Sequence, residues 1–468
     1  MSDTICAPAT ASNGGAIAVI RISGPQSLQA VDSIAVLRSG KAVDAPGYSL
    51  RFGEIPGVDE VLVTIFRAPH TYTGEDSAEL SCHCSPYIVR KILELLLNAG
   101  CRMAEPGEFT RRAFLAGKMD LAQAEAVSEL ISSDSAAAHR IALNQLRGGY
   151  SAELKTLRGS ILDLTALVEL ELDFSEEEVE FAGRDRLRTL LGQAISHVDS
   201  LSESFRVGNA IKNGVPVVIA GAVNSGKSTL LNALVGENRA IVSDIPGTTR
   251  DTVEEVVTVD GVQFRFIDTA GIRETSDTVE RIGIDRAHSA IAAAEIVIGV
   301  IDGSAAKAGD CASAGADALA PGRICSGNAG IISAVDAVRA VVPAGKKLIL
   351  VRTKIDLCPD AEPVEGVLDI CAANGQGLNE LKAELSSYAS SVSEGTVVTS
   401  ARHYEALRDA SSSLGAVLAG MDAGIPTDLL AEDLREAVRA LGRIWGEDLG
   451  ISAQDTLNHI FSRFCIGK

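Results

Sequence analysis

The chain has 468 residues, of which 46% are hydrophobic, 22% charged and 4% aromatic. Those fractions exclude global disorder and collagen-like repetition, and at roughly 100–200 residues per domain the length allows about three domains with real cores. With 42 basic against 62 acidic residues the formal charge is −20, so RNA or DNA is not held by charge neutralisation alone; a nucleic-acid role needs a local basic patch or a basic partner.

Taken in chain order, residues 1–118 are mixed. Ala16–Ile20 and Val61–Ile65 are short β-prone runs, punctuated by Gly14-Gly15 and Ser23-Gly24-Pro25, and Ile88–Leu97 has helical periodicity. A small α/β domain is expected there. In residues 119–210 Gly and Pro become scarce, and Leu121, Ala124, Val127, Leu130 and Ile131 fall at helical spacing, as do Ile161, Leu164, Leu167, Val168, Leu170 and Leu172. The acidic run Asp173–Glu178 reads as a bend and a solvated face. Residues 211–390 alternate strand and helix patterns, the mark of a parallel sheet with crossovers. Helical character returns over 391–468. The economical architecture is one discontinuous helical domain with an α/β domain inserted into it. Within the insert, 303–345 is rich in Gly, Ala and Ser and is expected to be mostly a loop or weakly ordered insertion between two strands.

The nine cysteines are odd in number, irregularly spaced and without a CxxC pair, which argues against a disulfide framework or a four-cysteine zinc site. Cys82-His83-Cys84 has metal-ligand composition, but alternate residues of a strand point to opposite faces, and it reads as a structural segment. The opening MSDTICAPAT has no basic and apolar signal-peptide regions. The longest apolar stretch, Ile291–Ile301, is too short to span a bilayer and contains Glu295. A soluble, cytoplasmic protein without a membrane segment is expected.

The chemistry concentrates in the insert. Val217–Ala220 is a buried-strand run followed by Gly221-Ala222-Val223-Asn224-Ser225-Gly226-Lys227-Ser228 and an apolar helix starting near Thr229. This is GxxxxGK[ST] in the strand–loop–helix setting it requires. The glycines let amides surround phosphates, the helix N-terminus adds positive potential, Lys227 supplies a point charge and Ser228 a hydroxyl for Mg²⁺. Phe264–Ile267 then leads to Asp268-Thr269-Ala270-Gly271, with Asp268 suited to an outer-shell Mg²⁺ contact and the Gly271 amide to the γ-phosphate. Gly247-Thr248-Thr249-Arg250-Asp251 lies between and suits a switch whose threonine completes the Mg²⁺ shell. Leu348–Val351 leads to Thr353-Lys354-Ile355-Asp356. The Asp356 carboxylate accepts from guanine N1–H and N2–H₂ and is repelled by the adenine N1 lone pair, so the nucleotide is GTP. Two departures stand out. Thr353 replaces the usual Asn of the base-reading motif, at an expected loss of about 1 kcal/mol, the scale of one hydrogen bond. Ile272 occupies the place where Ras-like GTPases carry a glutamine, and it cannot orient the attacking water.

With Val19–Gly24, Tyr72–Asp76, Pro106–Thr110, Asp120–Glu125, the nucleotide motifs and the terminal Phe464-Cys465-Ile466-Gly467-Lys468, the whole chain resembles the tRNA modification GTPase MnmE (TrmE) family. The resemblance implies an N-terminal folate-binding and dimerisation domain, a discontinuous helical domain and an inserted Ras-like P-loop GTPase domain. It implies a homodimer that works with the flavoprotein MnmG on C5 of the wobble uridine of tRNA. Arg21, Glu79, Lys118 and Lys468 then correspond to contacts of 5-formyltetrahydrofolate, with cations suited to glutamyl carboxylates and an acid to pterin N–H donors. Glu280 corresponds to a water-orienting or general-base glutamate. Asn224 with Ser243, Ile245 and Thr248 corresponds to a K⁺ site, a fixed charge where other GTPases place an arginine. The nucleotide-contacting set extends through Asp244, Pro246 and Gly247 and to the guanine loop Cys371-Ala372-Ala373, where Ser-Ala is usual. Cys465 is either a nucleophile toward C6 of uridine or a small buried hydrophobe. The competing readings are a ribosome-assembly GTPase, for which no basic KH-like domain is visible, and a folate-binding scaffold with a vestigial GTPase, against which intact Lys227, Ser228, Thr249, Asp268 and Glu280 argue.

Overall fold

The computed structural model describes residues 3–11, 15–173, 184–222, 224–237, 255–267, 289–304, 328–358, 362–390, 396–447, 453–462 and 464–467. The chain divides into two compact units, Met1–Ser132, Ala142–Val198 and Glu405–Lys468 forming one, and Ser133–Ile141 and Asp199–Tyr404 the other.

The first unit begins with β1 (Ile5–Pro8), β2 (Ile17–Ser23), β3 (Val36–Leu37), β4 (Ser49–Ile55), β5 (Asp59–Phe66), β6 (Ser77–His83) and β7 (Arg102–Met103), in the sheet order β3-β4-β5-β6-β2-β1-β7. All pairs are antiparallel except β1 with β7. The period of two decides the faces. Ala18, Ile20 and Ile22 of β2 enter one core with Val61, Val63 and Ile65 of β5, with Leu28 and Val31 of α1 (Ser27–Ile34), and with Ile92 and Leu96 of α2 (Pro86–Asn98). Arg21 therefore lies on the other face, directly paired in register with Glu79. At the end of β6, Cys82 is in the core while His83 is exposed and bonded to Asp59, ring Nδ1 to Oδ1 at 2.8 Å.

A short α3 (Glu108–Leu115) precedes the helical region: α4 (Leu121–Ile131), α5 (Ala136–Leu146), α6 (Gly149–Asp173) and α7 (Arg184–Asn213). A reciprocal capping box starts α4, with Asp120 Oδ1 accepting from the Gln123 amide and Gln123 Oε1 from the Asp120 amide, both at 3.0 Å.

The second unit holds β8 (Val215–Gly221), β9 (Glu255–Val259), β10 (Val262–Phe266), β11 (Ile296–Asp302), β12 (Lys347–Thr353) and β13 (Val367–Asp369), ordered β13-β12-β11-β8-β10-β9. Every pair is parallel but β9–β10, a hairpin turned by Asp260 and Gly261 at φ 49° and 77°. Positive φ at both central residues is what a two-residue turn needs to match the twist of its strands. β11 is buried on both faces, as a continuous apolar run in a central parallel strand should be. The helices of this unit among the described residues include α8 (Lys227–Glu237), α9 (Asn328–Val341) and α10 (Leu378–Ser390).

Over residues 328–341, part of the segment 303–345 expected to be mostly loop, the chain forms the helix α9. Ile331 and Val335, one turn apart, pack with Ile301 and Leu350, and the helix supplies part of the β11–β12 crossover. Ile331, Val335 and Val338 recur at helical spacing and alanine is a strong helix former, which accounts for the helix. Residues 305–327, like the acidic run beyond Asp173, lie outside the described residues.

The chain closes with α11 (Ala401–Ala423), α12 (Thr427–Trp445) and α13 (Ala453–Phe461). α12 packs along α6 and meets α4; Leu430, Leu434, Ala437, Leu441 and Ile444 of α12 are buried, as are Leu154, Leu157, Ile161, Leu164 and Val168 of α6. Helices from both sides of the insert thus share one packing surface, the discontinuous helical domain read from the sequence. Among the described residues no helix is long and apolar enough to cross a membrane.

A charged lattice ties the start of the chain to α3. Arg102 Nε donates to Asp3 Oδ2 at 2.6 Å, and Arg102 Nη2 to Glu108 Oε1 at 2.7 Å. Arg112 reaches Asp3 at 2.8 Å, Glu108 at 2.9 Å and Glu75 at 3.1 Å. The Arg102 hydrogen bond, against a smaller effect of burial, holds the Asp3 carboxyl at about 2. A lowered carboxylate contributes stability that is complete above its ordinary value of 3.8 and is lost as pH falls toward 2. Thermal melting between pH 5 and 2 should therefore fall less steeply for Asp3→Asn than for the wild type; equal slopes would remove the linkage.

Candidate functional site

The phosphate loop leaves the C-terminal end of β8 at Gly221 and enters α8 at Lys227. Ligands of open α/β sheets collect at these strand ends, where the strand order reverses. Asn224 is left-handed, φ 63°, and exposed. Lys227 Nζ donates to the carbonyls of Gly221 and Ala222 at 2.9 and 2.7 Å, and burial pushes its pKa down. Ser228 and Thr229 occupy the first turn of α8, where helix amides are unpaired and the dipole favours anions.

The loop is held from behind by the end of β12. Thr353 is 2% exposed, and its Oγ1 donates to Ser225 O at 2.5 Å while lying 3.2 Å from Ile301 O. The threonine in place of the usual asparagine therefore keeps a bond to the P-loop backbone. Lys354, itself left-handed with φ 56°, sends Nζ to Asn224 O and to Asp302 Oδ2, both at 2.6 Å. Asp356 is exposed, and its Oδ1 accepts from the buried Cys371 thiol at 3.3 Å. Cys371 opens the tight turn through Ala372 and Ala373, with the Gly375 amide bonded to Cys371 O at 3.0 Å. The Cys358 thiol donates to Gly303 O at 2.9 Å. Behind the turn, buried Arg352 grips Asp369 with Nε and Nη2 at 2.6 and 2.5 Å, joining β12 to β13.

The described part of the motif set thus lies at the C-terminal ends of β8, β12 and β13: Asn224, Ser225, Gly226, Lys227, Ser228 and Thr229 with Thr353, Lys354, Asp356 and Cys371, Ala372, Ala373. Asp302, Cys358 and the Arg352–Asp369 pair were not found by sequence reasoning. Asp302 carried no signal beyond its place after an apolar run. Ser243, Asp244, Ile245, Pro246, Gly247, Thr248, Thr249, Asp268, Thr269, Ala270, Gly271 and Glu280 lie outside the described residues.

The first unit has its own cluster. The Arg21 guanidinium lies 5.6 Å from the ring centres of both Tyr72 and Phe109, and its Nε donates to Glu79 Oε1 at 2.9 Å. Arg21 Nη1 also reaches Gly467 O at 3.4 Å. Gly467 is left-handed, φ 91°, and a Cβ there would collide with Pro8 O, so the C-terminal turn is seated on the end of β1. Glu79 Oε2 has no protein bond among the described residues. Tyr72 OH pairs with Thr110 Oγ1 at 2.9 Å. Lys118 is exposed and its Nζ donates to Pro69 O. Lys468 lies outside the described residues. Cys465 is an exposed free thiol rather than a buried hydrophobe, and its carbonyl accepts from the Gly107 amide at 3.4 Å.

A glycine-rich loop between a buried strand and a helix, clamped to the aspartate-bearing Thr353–Asp356 turn two strands away, is the arrangement of a P-loop GTPase, a hydrolase of GTP. The comparisons with known proteins place it further. The MnmE helical domain model matches residues 121–465, and the model of the GTP-binding protein TrmE N-terminus matches residues 4–118. The chain belongs to the MnmE family of tRNA modification GTPases. It is 46% identical to the tRNA modification GTPase MnmE of Porphyromonas gingivalis, covering 100% of this chain and 98% of that protein. It is 44% identical to that of Cytophaga hutchinsonii, again over 100% and 98%. Among solved structures, the G domain of the T. maritima FeoB iron transporter matches at 26% identity and a TM-score of 0.25, covering 37% of this chain and 98% of that one.

Replacing Asp356 by Asn should shift base preference from guanine toward xanthine, because an amide can donate to xanthine O2; competition between GTP and XTP measures it, and unchanged relative affinities would show that Asp356 does not read the base. Cys371→Ser should retain GTP affinity, since a hydroxyl also donates to Asp356. Cys371→Ala should weaken it about two- to tenfold, the scale of one modest hydrogen bond. Calorimetry showing equal affinity for all three proteins would remove the thiol from base reading.

Proposed function

We propose that the protein is a K⁺-stimulated GTP hydrolase that acts with the flavoprotein MnmG in 5-carboxymethylaminomethyl-type modification of the wobble uridine, position 34, of tRNA. What carries this reading is one chain holding both a clamped guanine-nucleotide loop and the Arg21–Glu79 pair bonded to the C-terminal turn at Gly467. A ribosome-assembly GTPase, the alternative, needs only the first.

Mg²⁺ would be held by Ser228 and Thr249 with GTP, neutralising charge on the β- and γ-phosphates. K⁺ would be held by Asn224 with Ser243, Ile245 and Thr248, a fixed positive charge near the β–γ bridge. The exposed Asn224 at the loop's crest suits an oxygen donor to such an ion. Ile272 cannot hold water, so Glu280 orients or deprotonates the nucleophile. In the first unit the donor set fits a reduced pterin of the 5-formyltetrahydrofolate type. Glu79 retains an oxygen for ring N–H donors, Tyr72 and Phe109 offer ring faces, and Lys118 and Lys468 suit the glutamyl carboxylates. The ligand would supply a one-carbon unit. Cys465, being exposed, is available to act on C6 of uridine. The protein works as a homodimer paired through its N-terminal domains and assembled with MnmG, and with a net charge of −20 it contacts tRNA largely through that partner.

Mass spectrometry of wobble uridine in tRNA from a deletion strain should show loss of the modification; unaltered uridine would favour the alternative. GTP turnover should be faster in K⁺ than in Na⁺. Glu280→Ala should lower kcat about 10²–10⁴-fold, the range of a positioned general base, with GTP affinity little changed. Equal rates in the two salts, or a normal kcat in the variant, would sink the mechanism and leave GTP binding standing.

A further inference from the structure

We propose that Asp302 is a positioning residue for guanine-nucleotide retention, holding the Lys354 ammonium against the Asn224 carbonyl and thereby fixing the P-loop backbone. The inference rests on the guanine-nucleotide reading of the site.

Asp302 is the last residue of β11, and its register partner across the sheet is Thr353. The carboxylate is fixed at both oxygens. Oδ1 accepts from the Ser304 amide at 2.9 Å and from the Ser304 hydroxyl at 2.6 Å, while Oδ2 faces Lys354 Nζ at 2.6 Å. Burial pushes the Asp302 pKa up, but the bonds from Lys354 and Ser304 outweigh it and hold the group below the ordinary carboxylate value. It is therefore an anion at neutral pH.

Lys354 and Asn224 are both non-glycine residues in the left-handed region, a conformation that persists only where surrounding contacts enforce it. One ammonium ties the two turns together, since Nζ also donates to Asn224 O at 2.6 Å. A lysine is long, rotamer-rich and strongly hydrated, and one carbonyl is a weak hold on it. The carboxylate on the rigid end of β11 supplies a charge-assisted second hold. With the Asn224 carbonyl pinned, the amides that follow it in the loop keep a common direction, which is what anion binding by consecutive amides requires.

The alternative role for Asp302 is merely structural, an aspartate capping the turn after β11. Dissociation of the fluorescent nucleotide mant-GDP from the full chain, in Mg²⁺ and K⁺, separates the two through a double-mutant cycle. Asp302→Asn should speed dissociation and weaken binding about tenfold, the scale of one bond between charged groups. The same substitution in a Lys354→Met background should add almost nothing. Ser304→Ala, which removes the hydroxyl bond to Oδ1 but keeps the amide bond and the charge, should speed dissociation about threefold, again only when Lys354 is present. It decides the question by the same cycle should Asp302→Asn not fold. Effects of equal size in the two backgrounds, or an Asp302→Asn protein with wild-type dissociation, would overturn the proposal and leave the nucleotide reading intact. A wild-type protein that does not bind mant-GDP would overturn both.

Discussion

Phosphate binding by backbone amides depends on something outside the loop that carries them, because a run of small residues has no rigidity of its own. Here that support is the end of β12. Thr353 is nearly inaccessible and bonds the carbonyl of Ser225, so the P-loop rests on the neighbouring strands as well as on its own turn. A buried acceptor left without its partner costs about 1–3 kcal/mol, more than the net gain of the bond itself. The arrangement also presupposes register. Asp302 faces Thr353 across β11 and β12, and a slip of one residue would turn every side chain of β12 to the opposite face. The apolar burial of β11 on both faces is what fixes that register.

The motif residues of this site were legible in the sequence because their logic is local: a strand, a glycine loop and a helix in succession. The strands β2 and β5 and the helix α2 were legible for the same reason, through periods of 2 and 3.6. What was not legible depends on which strands become neighbours. Nothing near Arg21 announces Glu79, since the pair exists only because β2 and β6 are adjacent and in a particular register. Asp302 acquires a partner only when β11 and β12 lie side by side. The helix α9 was not read from the sequence, because the Gly, Ala and Ser content of its surroundings resembles a loop.

The charge of the chain is also better understood residue by residue than as a total. The arginines of α12 do not form a free basic patch: Arg435 pairs with Glu169, Arg439 with Glu432 and Glu436, and Arg443 with Asp409. Exposed pairs of this kind contribute little stability, yet they cancel the local potential that would draw a polyanion. In the first unit Arg102 and Arg112 are similarly engaged by Asp3, Glu75 and Glu108.

The β9–β10 hairpin has an implication for how the protein is made. Its Gly261 carbonyl accepts from the Ala137 amide at 3.0 Å, and Ala137 and Ile141 pack into the same core as Val262 and Phe264. The residues 133–141 that complete this core leave the ribosome long before the strands they cover. During synthesis they must wait, unpaired, while α6 and α7 form. An α/β domain cut out at the boundaries of its own motifs would be born without them, and would show water the hydrophobic surface that the upstream segment covers.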